Sequence, residues 1–162
     1  MIPVLDVARY IINYSNEKNY SISNLKLQKL LYFVQAYYLA FTCSHEPCFN
    51  DEIEAWDFGP VVPSVYHEFK SFGGGEIPPV TSYYTLENQN NFWSIREVPF
   101  DDSCISSDNK KIINDIVDKF GAYSAADLVQ LTHNQTPWKN AYHPRQNAII
   151  TKDAIRGYFN GE

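Results

Sequence analysis

Cys43, His45 and Cys48 form a C-x-H-x2-C cluster, the tightest grouping of metal-binding residue types in the chain. Thiolate and imidazole ligands suit zinc, which takes four ligands in a closed structural site. The fourth would have to come from Cys104, His67, His133 or His143, and no second ligand pair accompanies the cluster. The default for these residues is a loop that holds no metal, and no cofactor is expected. Other reactive groups are sparse. Four His are dispersed with no H-E-x-x-H pair, and there is no G-x-S-x-G elbow or Cys/His nucleophile signature. Gly73-Gly74-Gly75 lacks the following G-K-[ST] of a phosphate loop and reads as a flexible turn. Glu52 and Glu54 read as solvated, and Asp101-Asp102 as a capping or solubilising turn. His133, next to Thr132 near a helix end, reads as a cap or core hydrogen-bonding group before a general base. No catalytic residue and no enzyme activity is indicated.

A chain of 162 residues fits one domain, residues 1–162, with a substantial core. Its 44% hydrophobic and 20% charged content argue against disorder. Net charge is −6, and only Lys26/Lys29 and Lys110/Lys111 approach basic pairs, which disfavours nucleic-acid binding. The start, MIPVLDVARY, has no basic segment before a long apolar run, and three cysteines fit reduced thiols, so a cytoplasmic protein is expected. With 12 Tyr, 10 Phe and 3 Trp, the aromatic surplus suits a Tyr-rich core boundary or a protein-binding face.

The fold class expected is mainly α, a compact multi-helix domain around a central helix at about residues 24–42, with a small β element. Leu27, Leu30, Leu31, Val34, Tyr38 and Phe41 recur every three or four residues and line one face, while Lys26, Lys29 and Gln35 take other faces. Leu25, Tyr32, Phe33 and Tyr37 broaden the apolar stripe, so this helix should pack on several neighbours. Ser21, Ser23 and Asn24 are N-cap candidates. An earlier helix covers Val4–Tyr14. EIEAWDF, residues 52–58, reads as a short extended piece stopped by Gly59-Pro60, with Trp56 and Phe58 pinning the chain crossing or anchoring a partner. Ser64–Phe72 reads as a helix, and Thr81–Leu86 with Phe92–Val98, separated by the turn-prone Asn88–Asn91, as a small hairpin or a mobile excursion carrying exposed aromatics. The C-terminal third reads as helices, stopped at Gly121 and capped at Ser124, Thr136 and Thr151.

Four segments resemble the SocA/GepA-like family, the Panacea antitoxin domain of toxin–antitoxin systems. They are SNLKLQKLLYFVQAYYLAF, DEIEAWDFGPVVPSVYHEFK, LTHNQTPW and ITKDAIRGYF, in the family's order. The Thr42–Pro47 loop departs from the family pattern, and Ser82–Phe100 lies where the family varies. The resemblance implies an α-rich, non-enzymatic bacterial or phage/prophage antitoxin that neutralises a toxin protein, usually encoded next door, by direct binding. It carries over Leu27, Leu30, Tyr32, Trp56, Gly59, Pro60, Val61, Tyr66, His133, Pro137 and Trp138 as fold or partner-interface determinants. Alternatives are an adaptor that delivers the toxin to an AAA+ protease, or an operon repressor that binds nucleic acid.

Overall fold

Ser23 fixes the start of the helix on which the molecule is built. Its hydroxyl accepts from the Lys26 amide, so α2 runs Asn24–Phe41. In the computed structural model, which describes residues 1–162, this helix packs against α1 (Val4–Glu17), α3 (Pro63–Phe69), α4 (Ser107–Phe120), α5 (Ala125–His133) and α7 (Lys152–Asn160). Leu27, Leu30, Leu31, Tyr32 and Val34 are fully buried in one continuous core. The fold is mainly α, and no helix is long and apolar enough to cross a membrane.

Two expectations about α2 need correction. Phe41 sits beyond the last packed turn and is exposed, and Tyr37 is partly exposed beside it. Lys26, Lys29 and Gln35, expected on other faces than the apolar stripe, are all buried, and so is Gln28. The helix is therefore enclosed on nearly every side, and its polar side chains meet the backbone of surrounding segments.

Ile53–Trp56 (β1) and Gly59–Val61 (β2) form a tight hairpin, with Trp56 opposite Gly59 and Asp57-Phe58 at the tip. The Gly-Pro pair thus starts a strand where the sequence suggested a stop. On its other edge β1 pairs with Ile149–Ile150, two residues too few to leave a pattern in the sequence. Helix α3 ends at Phe69 and continues as a 3-10 turn over Lys70–Phe72.

A second hairpin stands apart from this sheet. Ser82–Gln89 and Phe92–Pro99 pair in register across Asn90-Asn91, both at positive φ as a two-residue hairpin turn requires. Helix α5 opens with the expected capping box between Ser124 and Asp127, and Thr151 caps α7. Helix α6 (Thr136–Ala141) starts one residue early, with Gln135 at the cap position and no side-chain cap bond. Gly121 follows α4 at φ −57, so handedness does not select it. A Cβ there would lie 2.6 Å from the Tyr20 ring, which is the reason for glycine.

Candidate functional site

The polar residues of α2 act as hooks. Lys26 Nζ donates to the Gly121 carbonyl at 2.8 Å, and Lys29 Nζ to the Pro60 carbonyl at 3.0 Å. Gln28 Oε1 accepts from the Val62 amide at 2.9 Å, while its Nε2 donates to Asn24 Oδ1, and Asn24 donates to the Tyr66 carbonyl. Gln35 reaches the loop after α2, accepting from the Cys48 amide and donating to the Phe49 carbonyl, both at 2.9 Å. Buried backbone groups must be paired, and one helix supplies partners in four separate segments.

Most of the motif residues converge on the first hairpin. Trp138 Nε1 donates to the Trp56 carbonyl at 2.9 Å, joining α6 to β1. The Trp138 ring lies between His133 and Tyr142, stacked at 3.9 and 4.5 Å between centroids. Tyr142 donates to Asp57 Oδ1 at 2.6 Å and so holds the hairpin tip. Trp56 is half-buried, edge-on to Tyr66 at 4.9 Å, and its Nε1 donates to Glu54, which is therefore engaged rather than free in solvent. Phe58 does not pin the crossing; it is 66% exposed. Pro137 is buried, and Tyr32 donates to Gln135 two residues earlier. Leu27 and Leu30 lie apart from this node, in the core. Asn24, Gln28, Gln135 and Tyr142 belong to the arrangement although no periodicity marks them.

At the centre of the node Gly59 adopts φ +105. A Cβ on it would lie 2.6 Å from Lys29 Cε and 2.9 Å from Thr132 Oγ1, so glycine lets the lysine pass beneath the hairpin. Lys29 forms no ion pair and is fully buried. Burial pulls its ammonium down to about 7 from an ordinary 10.5. Burial first, and the Lys29 charge second, also pull His133 below its usual value, and His133 Nε2 has no hydrogen-bond partner. Unfolding releases Lys29 into water, where it takes up a proton between about pH 7 and 10.5. Stability conferred by this group is thus fully present above pH 10.5 and is lost as pH falls through 7. Between pH 8 and 9 the contribution should rise by roughly 1.4 kcal/mol per pH unit. Chemical denaturation of the wild type and Lys29→Met at both pH values measures it, and the variant should lack this increment.

Against the node a cleft of about 530 Å³ is lined by Leu25, Trp56, Phe58, Val61, Tyr66 and Arg145, among others. Its aromatic walls suit an apolar side chain or a small planar group. The metal-type cluster is not assembled: Cys48 is buried, whereas Cys43 and His45 are exposed. No group of three His, Cys, Asp or Glu side chains is arranged to hold an ion. Asp101 accepts from the Ser103 amide and hydroxyl as a local cap, and Asp102 pairs with Lys110.

Comparison with known proteins places this arrangement. The family model described as "Antitoxin SocA-like, Panacea domain" matches residues 27–139, from the first buried leucine of α2 to the residue after Trp138. Antitoxin SocA of Caulobacter vibrioides (strain NA1000 / CB15N) is 42% identical over 67 residues. That match spans 41% of this chain and 35% of the relative. No solved structure gives a significant match. The chain belongs to the SocA-like antitoxin family and carries its Panacea domain.

Proposed function

We propose that this chain is a cytoplasmic antitoxin, acting as one domain over residues 1–162, that binds a cognate toxin protein and blocks it by direct contact without catalysis. The observation that carries the reading is the family match over residues 27–139. The similarity to a protein named Antitoxin SocA supports it. The structure gives the reading a physical shape. Leu27, Leu30, Tyr32, Gly59, Val61 and Pro137 are interior residues, so they maintain a scaffold and leave the surface free to contact a partner. A net charge of −6 favours encounter with a basic partner through long-range steering.

The test expresses each neighbouring reading frame alone and selects one whose product arrests growth. Co-expression of this chain should restore growth while the level of the arresting protein stays constant, equally in hosts lacking AAA+ proteases. Rescue confined to protease-containing cells, with the arresting protein depleted, would establish the adaptor mechanism instead. Absence of rescue for every frame that arrests growth would reject the antitoxin reading.

A further inference from the structure

The second hairpin, Ser82–Gln89 with Phe92–Pro99, is built the wrong way round for a surface ribbon. Its register puts Tyr84 opposite Glu97, Leu86 opposite Ile95 and Asn88 opposite Trp93 on one face. The other face carries Tyr83, Thr85 and Glu87 opposite Val98, Arg96 and Ser94. A ribbon with one solvated face normally turns its apolar residues inward. Here Tyr84, Leu86, Trp93 and Ile95 are 69–72% exposed, while Tyr83, Thr85, Glu87 and Val98 are partly covered. Neither outer edge of the ribbon pairs with another strand.

A lone two-stranded ribbon is marginal in water, so something must hold this one. Its root is well anchored. The Asn13 side chain accepts from the Val80 amide at 2.7 Å and donates to the Val80 carbonyl at 2.9 Å. The Arg9 guanidinium lies 3.7 Å over the Tyr83 ring, and Glu87 pairs with Arg96. These contacts present the apolar face to solvent in a fixed orientation without covering it.

Resting on the antitoxin reading above, we propose that the Tyr84–Leu86–Trp93–Ile95 face is the surface that docks the toxin, a protein offering an apolar patch with a basic rim. Four large side chains at this exposure present on the order of 500 Å². A standard interface takes roughly 800 Å² from each partner, so the face supplies most of one side. Charge selects the occupant. The only ionised side chain in the register of this face is Glu97, with no cation beside it, on a chain of net charge −6. A second copy would bring Glu97 and the same negative field against its like, whereas a basic rim would complement both.

The test titrates the purified chain against the growth-arresting protein identified above, by calorimetry. Trp93→Ser combined with Ile95→Ser should weaken binding about 100-fold, as loss of two central anchors does. Phe92→Ser removes an 80% exposed ring from the opposite face of the same ribbon and should leave affinity within about three-fold. Glu97→Gln should weaken binding several-fold at low salt, with the effect fading at high salt. Unchanged binding by the double variant, or equal loss with Phe92→Ser, would overturn the proposal while leaving the antitoxin reading standing. Wild-type dimers in sedimentation that the double variant abolishes would assign the face to a second copy and also overturn it. Failure of the wild type to bind at all would reject the antitoxin reading and the docking face together.

Discussion

Gly59→Ala should cost roughly 4 kcal/mol of stability, the sum of a backbone and a packing penalty. At φ +105 an L-residue is strained whatever space surrounds it. The added methyl would also meet Lys29 Cε at 2.6 Å and Thr132 Oγ1 at 2.9 Å. Relief by moving Lys29 would take its Nζ off the Pro60 carbonyl, leaving a buried donor and a buried acceptor unpaired. Out of a typical total of about 5–15 kcal/mol, such a loss brings many domains near unfolding. Denaturant midpoints at constant m-value measure it. The two penalties separate in a double-mutant cycle. In a Lys29→Ala background the Lys29 share of the packing penalty should vanish, while the Thr132 contact and the backbone part, on the order of 1–3 kcal/mol, persist. Equal cost in both backgrounds would show that Lys29 does not occupy the space beneath Gly59.

Gln35→Leu should be nearly as damaging, at roughly 3–5 kcal/mol, although leucine has similar size and greater apolarity. The amide of Gln35 satisfies the Cys48 amide and the Phe49 carbonyl, and reaches the Phe49 amide at 3.3 Å. Cys48 and Phe49 are themselves buried, and Ile2 donates to the Cys48 carbonyl from the chain's first residues. Leucine would leave these groups dry and unpaired, a cost its extra apolarity offsets only in part. Hydrogen exchange should show the Cys48 and Phe49 amides losing protection first. A surface glutamine would give a change within about 0.5 kcal/mol, so the two placements of Gln35 are easily told apart.

The contrast between Leu27 and Lys29 explains what the sequence could and could not disclose. Leu27, Leu30, Leu31 and Val34 repeat at helical spacing, and their burial follows from that period alone. Lys26, Lys29 and Gln35 carry polar ends that periodicity assigns to solvent, yet each is buried. Their partners are carbonyls and amides from 13 to 95 residues away, and backbone groups have no signature in the side-chain sequence. The same limit hid the role of Gly121, where a Tyr20 ring and not a turn excludes a side chain. Capping boxes and N-caps at Ser23, Ser124 and Thr151 were readable because donor and acceptor lie within three residues.

The site shows the same division. Resemblance supplied Trp56, Tyr66, His133 and Trp138, and the structure joins them through the Trp138–Trp56 hydrogen bond and two ring contacts. Tyr142 and Asn24 were missed because their contacts are to a hairpin tip and a carbonyl distant in sequence. For residues 82–99 the β-branched and aromatic content and the asparagine turn allow a hairpin or a mobile excursion, and the structure selects the hairpin. Its orientation was not, since both faces carry aromatic residues and only the Arg9 and Asn13 anchors determine which face turns inward.

Reconstituted inhibition tests the central claim most directly. The purified growth-arresting protein, assayed by its own activity, is titrated with this chain in the absence of protease, ATP and nucleic acid. Neutralisation by direct contact predicts that activity falls linearly to an end point at a fixed stoichiometry, with the complex recovered intact by gel filtration. Full activity in the presence of excess chain, or a loss that appears only when an AAA+ protease and ATP are added, would contradict it.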